Sequence, residues 1–217
     1  MLKFNCGVIN IVNMLIKNYF ELSDEHKQNI LFQLEVGKEL WGAIPFLLEL
    51  LKNEIFHKHL GKGELLLLLD EDCIAESFPV LKAFVTLCDK DEIVAPELFQ
   101  WVGFVFTFPK YRGNRLSEKL IDYAAELAKK LYSESENLYV STDHVGLYEK
   151  YGFSFLKEAD TVWGEKSRIL FRTENRFDTL LPETFFRRAT VYLMLQDRFC
   201  SDASVKKATA DAANAPT

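Results

Sequence analysis

The amino-acid sequence predicts an α/β layer fold built on a mixed sheet, and three observations carry that expectation. In the middle of the chain, apolar runs of strand length alternate with segments of helical period. Strand-like segments follow one another across short turns on either side of that alternation. Before Gly61 the apolar spacing is helical, and at residues 64–70 it becomes a continuous run, as in a buried strand.

The elements follow in order. Residues 23–58 read as helix: Ser23 is a fair N-cap followed by Asp24 and Glu25, and Ile30, Leu31 and Leu34 recur at helical spacing. Leu40, Trp41, Ile44, Leu47, Leu48 and Leu51 continue the pattern, with a break or bend expected near Pro45. Gly61 and Gly63 close it. Strands are predicted at 64–70, 80–87 and 101–108, the first two joined by a turn at Glu71 and Asp72. Pro109 ends the third, and residues 116–131 form a helix with Leu116, Leu120, Tyr123, Leu127 and Leu131 on one stripe. A short strand at 137–141, a short helix at 145–151 stopped by Gly152, and strands at 153–158 and 168–172 around a turn at Gly164 complete the pattern. Residues 1–21 form an N-terminal segment that offers a first strand. Residues 173–199 read as an extension with a helical stretch at 183–199, and residues 200–217, poor in large apolar side chains, as a flexible tail.

Composition bounds the function. The chain has 217 residues, 48% hydrophobic and 27% charged, with 18 Phe, 8 Tyr and 3 Trp, which excludes wholesale disorder and allows a sizeable core. A net charge of -6 argues against a broad basic footprint for nucleic acid or an anionic membrane. Cys6, Cys73, Cys88 and Cys200 lie far apart without a C-x-x-C pair, so reduced thiols and a cytoplasmic location are expected. The N-terminus lacks a signal-peptide pattern, and the apolar runs fall far short of the roughly 20 residues a membrane-spanning helix needs.

The segment that carries chemistry runs from Trp101 to Lys130. A strand enters a basic, glycine-containing loop, Tyr111-Arg112-Gly113-Asn114-Arg115, and a long helix leaves it. Backbone N–H groups gather at such a helix N-terminus and favour a phosphate, and Arg112 and Arg115 add charge-assisted donors at the same spot. An ordinary strand–turn–helix with solvated arginines is the alternative. Neither G-x-x-x-x-G-K-[ST] nor G-x-G-x-x-G occurs in the chain. Downstream, a strand delivers Ser141-Thr142-Asp143-His144 and then Leu147-Tyr148-Glu149-Lys150-Tyr151-Gly152-Phe153.

FPKYRGNRLSEKL followed by LYEKYGF resembles the GCN5-related N-acetyltransferase (GNAT) superfamily, over residues 22–172. The resemblance implies a largely antiparallel mixed sheet with helices on both faces, in which the strands near 101–108 and 137–141 are parallel and splay apart. It further implies that acetyl-CoA, the donor substrate, enters that opening. Its pantetheine arm would pair with backbone groups near Phe106, Thr107 and Phe108. Its pyrophosphate would rest on the loop of Arg112, Gly113, Asn114, Arg115, Leu116 and Ser117. The family loop reads [RQ]-x-x-G-x-[GA], so here Arg115 and Ser117 stand where two small residues are usual. The implied reaction is direct attack by a primary amine of a small molecule, or of a peptide or protein, with Tyr148 as general acid and no metal. A non-catalytic acyl-CoA-binding regulatory domain of the same fold is the alternative.

Other residues leave alternatives open. His144 shares a face with Tyr148 if the turn is helical, and either tunes it or is a partly exposed histidine at a helix start. Thr142 or Asp143 reads as an N-cap, with a base role as the alternative for Asp143. No general base is legible on the central strand. Glu97 and the loop of Asp89, Asp91 and Glu92 are the nearest carboxylates, and read as a solvated turn or as an attractor of a cationic amine. Trp101 and Trp163 read as packing residues, Cys88 shows no sign of a lowered pKa, and His57 and His59 have the wrong spacing for joint metal ligation on one helical face. The residues after Arg172 are expected to cover the acceptor site or to form a homodimer contact.

Overall fold

The computed structural model describes residues 14–70, 79–131 and 137–173. The chain divides into two units, Met1–Asn175 and Arg176–Thr217, and every described residue belongs to the first. The expected turn at Glu71 and Asp72, the helix at 183–199, the tail, and Cys6, Cys73 and Cys200 lie outside the described residues.

After strand β1 (Met14–Asn18), the helical stretch expected at 23–58 is three helices: α1 (Asp24–Val36), α2 (Ala43–Lys52) and α3 (Phe56–Leu60). Ser23 caps α1 as its residue type dictates, its Oγ accepting from the His26 N–H. α1 stops at Gly37, where a Cβ would come within 2.8 Å of the Phe108 ring. The second break falls at Glu54, which takes a left-handed backbone with φ 56°. Pro45 produces neither break nor bend. It is the third residue of α2, in the first turn, where the missing N–H has no helical acceptor to lose.

The sheet comprises β1, β2 (Gly63–Asp70), β3 (Leu81–Cys88), β4 (Trp101–Thr107), β5 (Asn137–Thr142), β6 (Ser154–Asp160) and β7 (Lys166–Thr173), with α4 (Leu116–Leu131) between β4 and β5. Their order is β1-β2-β3-β4-β5-β7-β6, and every neighbouring pair is antiparallel except β4 with β5. The apolar run of β2 is continuous because both faces of the sheet are covered. Leu65, Leu67 and Leu69 pack with Ile30, Leu34, Ile44 and Phe56 of the N-terminal helices, while Leu66 and Leu68 pack with Leu120 and Ala124 of α4.

The buried face of α4 is rotated from the expected stripe. Leu116, Leu120, Ile121, Ala124, Ala125 and Ala128 are buried, whereas Tyr123 and Leu131 are exposed at the margin. Three alanines at this contact present little bulk, and the larger side chains fall to the rim. Close approach also explains Gly63, where an added Cβ would lie 2.5 Å from both Cys88 Sγ and the Leu87 carbonyl oxygen. Gly63→Ala is therefore expected to destabilise the fold by about 2 kcal/mol, as overpacking of a fixed backbone contact does. A urea melt with unchanged midpoint would contradict that packing.

Candidate active site

β4 and β5 run parallel and, among the described residues, pair at a single position, Trp101 with Tyr139, where the Tyr139 N–H donates to the Gln100 carbonyl at 2.9 Å. Buried Trp101 fixes this point: its Nε1 donates to the Leu98 carbonyl and its ring contacts Tyr139 at 5.6 Å. Beyond it the strands separate. On the other side of β4, the β3 register shifts between Phe84 and Thr86, and Phe104 takes φ 46°, a strained bulge that bends the strand. The opening is a cleft of about 580 Å³, walled by Gly103, Phe104, Val105, Phe106 and Thr107 of β4 and by Val140 and Ser141 of β5.

One end of the cleft is the turn that enters α4. Arg112, Gly113, Arg115, Leu116 and Ser117 line it. Gly113 has φ 82° with nothing within 4 Å of where a Cβ would stand, so its backbone is bare to the cleft. Arg115 adopts φ 54°, so the conformation for which glycine is the usual residue is kept by arginine at a strain of about 1 kcal/mol. Its guanidinium pairs with Glu118. Ser117 Oγ and Thr107 Oγ1 are hydrogen-bonded at 2.8 Å, which ties the first turn of α4 to the end of β4. Arg112 Nε donates to the Thr107 carbonyl at 3.1 Å, which places its guanidinium at the cleft edge.

Two of the sequence-predicted cofactor residues stand apart. Phe108 does not line the cleft: its N–H donates to the Lys82 carbonyl, its own carbonyl accepts from the Tyr111 N–H, and its ring packs against the N-terminal helices. Asn114 turns back on the loop, its Nδ2 donating to the carbonyls of Tyr111 and Arg112. Phe106 lines the cleft, paired in register with Phe84 of β3, and its ring is stacked on Trp41 at 5.5 Å within the helical layer.

Tyr148 lies on the opposite wall, 6 % exposed, with its ring edge-on to Tyr151 and Phe153. Burial pushes its phenol above the ordinary range, with Tyr151 and Asp91 adding to the rise, so the proton is held at neutral pH. The helix expected at 145–151 shrinks to one 3-10 turn, Tyr148–Tyr151, because Gly146 at φ 82° interrupts it. Its N-cap is Leu147 without a side-chain bond, and the Thr142 hydroxyl instead accepts from the His144 N–H at 3.1 Å. His144 therefore does not share a helical face with Tyr148. His144 and Asp143 sit exposed at the cleft mouth.

Sequence reasoning missed the groups that hold this turn. Arg168 of β7 donates to the His144 carbonyl at 2.9 Å and to Glu149 Oε1 at 3.0 Å. Arg172, two turns of the pleat along on the same strand face, is 4 % exposed and donates to Asp122 of α4 at 2.8 Å and to the Tyr151 carbonyl at 3.1 Å, with its guanidinium over the Phe153 ring. Their four-residue spacing on a strand was the available signal.

Asp91 stands apart from the rest of its loop. The acidic loop does not read as one solvated turn: Glu97 pairs with Lys157, Glu92 with His59, and Asp89 accepts from the Lys62 N–H. Asp91 folds beneath the sheet, its Oδ2 accepting from Ser141 Oγ and its Oδ1 3.4 Å from where a Gly103 Cβ would be. Burial raises its carboxyl above the usual aspartate value. Cys88 is buried and its thiol pKa is raised, the reverse of an activated nucleophile. Trp163, expected to pack, is 59 % exposed at the β6–β7 turn. No described helix is long and apolar enough to cross a membrane.

No family profile and no curated protein matches the chain. Among solved structures, it is similar to a protein from Desulfovibrio desulfuricans described as an acetyltransferase of the GNAT family, at 10% identity over 74% of this chain and 99% of that one, with a TM-score of 0.52. An acetyltransferase from Streptococcus agalactiae 2603 is 21% identical over 75% of this chain and 99% of its own, with a TM-score of 0.49. The mixed sheet, in which β4 and β5 form the only parallel pair among the described residues, and the helices on both faces make this the fold of a GNAT acetyltransferase.

Proposed function

We propose that the chain is an N-acetyltransferase of the GNAT superfamily, acting in the cytoplasm, that moves an acetyl group from acetyl-CoA to the primary amine of a small molecule. One observation carries the reading: the splayed β4–β5 cleft joins a bare helix N-terminus flanked by Arg112 and Arg115 to a buried, protonated tyrosine. The N–H groups of Gly113, Arg115, Leu116 and Ser117 suit a pyrophosphate, and Arg112 and Arg115 supply charge, Arg115 by exchanging Glu118 for phosphate. The unpaired edge of β4 from Gly103 to Thr107 suits an extended pantetheine amide chain.

The acceptor nitrogen bonds to the thioester carbonyl carbon, the C–S bond breaks, and the thiolate takes its proton from Tyr148. Leu40, Trp41 and Phe104 line the cleft on the helical side and suit an amine with an apolar body. The test is release of free thiol from acetyl-CoA in the presence of a panel of primary amines. Amine-dependent release supports the enzyme, whereas saturable acetyl-CoA binding without release across the panel would favour a non-catalytic acyl-CoA-binding domain.

A further inference from the structure

We infer that Asp91 and Ser141 form the proton-accepting pair for the incoming amine, an inference that rests on the acetyltransferase reading above. Three features of their placement converge. Ser141 lies on β5 just past the point where the strands separate, and it lines the cleft. Asp91 comes from the β3–β4 loop, reaches under β4 and accepts the Ser141 hydroxyl hydrogen. Gly103 of β4 leaves room for the carboxylate: a side chain there would meet Thr86 Oγ1 at 3.0 Å and Asp91 Oδ1 at 3.4 Å.

Ser141 and Tyr148 thus line the same cleft, and the Asp91 carboxylate behind Ser141 is near enough to the phenol to act on it electrostatically. The proton balance closes. The ammonium form of the acceptor gives one proton to Ser141 Oγ as Ser141 gives its own to Asp91 Oδ2. The freed lone pair forms the C–N bond, the C–S pair leaves on sulfur, and Tyr148 protonates it. The new amide nitrogen loses its second proton through water at the cleft mouth, which reprotonates the phenol, and Asp91 returns its proton to the same solvent. Ser141 is the group that meets substrate, and Asp91 is the positioning and proton-storing residue behind it.

The surroundings suit a base that must let go of its proton again. The Ser141 hydroxyl and the Glu92 N–H stabilise the carboxylate, while burial and the Glu92 carboxylate oppose it. Thr86 and Cys88 on β3 and Tyr148 across the cleft are neutral, and no cation faces Asp91 among these groups. Because folding raises the Asp91 pKa, its contribution to stability is fully present below the ordinary aspartate value and is lost as pH rises through the folded value. Burial sets a desolvation penalty against the ionised form, as expected of a carboxylate kept for chemistry.

The experiment compares wild type, Asp91→Asn and Ser141→Ala, using acetyl-CoA with 2-phenylethylamine, a probe chosen for the aromatic wall. Asp91→Asn is isosteric and is expected to melt no lower than wild type and to bind CoA within about 2-fold, with kcat down about 10²-fold at pH 7. That deficit narrows towards pH 9, where more of the amine arrives deprotonated. A residue that only held the loop would lower the melting temperature and leave the pH profile unchanged. Ser141→Ala is expected to lose about 10-fold in kcat with the same narrowing. A folded Asp91→Asn protein with wild-type kcat across this range overturns the assignment. Wild-type protein that binds acetyl-CoA but releases no thiol with this amine or with any other of the panel would overturn the acetyltransferase reading itself, and the proton pair with it.

Discussion

Tyr148→Phe is expected to lower kcat by about 10²-fold while leaving the acetyl-CoA dissociation constant within about 2-fold of wild type. The phenyl ring keeps the edge-on packing against Tyr151 and Phe153, so the turn that carries it is retained. What disappears is one O–H on the cleft wall. In the proposed reaction that phenol, held protonated by burial, gives its proton to the departing thiolate, which matters only after the C–N bond has formed. A steady-state comparison of kcat and KM, with binding measured separately, checks this. Equal kcat for the two proteins would remove Tyr148 from the reaction.

Arg172→Met is expected to destabilise the protein by about 3 kcal/mol, because it removes a buried guanidinium that joins three elements at once. Asp122 of α4 is half-exposed and returns to water on losing its partner, so the penalty falls at the lower end of the range for broken buried pairs. The Tyr151 carbonyl loses a charge-assisted donor and Phe153 loses a cation over its ring. A thermal melt should therefore fall by about 10 °C. Since Tyr148 rides on the same 3-10 turn, kcat should fall as well, and more steeply than acetyl-CoA affinity. A melting temperature within about 2 °C of wild type would contradict this role.

Where local chemistry sets the conformation, the amino-acid sequence makes the element legible. β4 is rich in β-branched and aromatic residues that favour strands, β2 is a short apolar run bounded by Gly63 and Asp70, α4 follows its period between Pro109 and the next strand, and the basic loop stands where its spacing puts it. The departures from pattern have local causes that pattern hides. Glu54 and Arg115 take left-handed backbone where no glycine announces it, and Gly146 interrupts a helix that the periodicity of Val145 to Tyr151 suggests. By position Phe108 is one more pantetheine partner, but its N–H is committed to Lys82 by the continuation of the β3–β4 pairing.

The candidate site is half legible for the same reason. Tyr148, Arg112 and Gly113 lie within contiguous motifs, so sequence order is enough to find them. Asp91 and Ser141 are brought together by the sheet, 50 residues apart, and Asp91 reads as part of a solvated acidic loop until the loop is seen beneath β4. Arg168 and Arg172 likewise gain meaning only once β7 is placed between β5 and β6, against the turn they hold.

The measurement that bears most directly on the central claim is calorimetric titration of the protein with acetyl-CoA, run beside Arg112→Glu. The expected result is saturable binding at one site per chain, weakened at least about 10-fold in the variant, because the reversal both removes a charge-assisted donor and sets a carboxylate against the phosphates. The absence of binding to the wild-type protein, or binding that Arg112→Glu leaves intact, would mean that the turn entering α4 is not a pyrophosphate cradle and that the cleft serves another ligand.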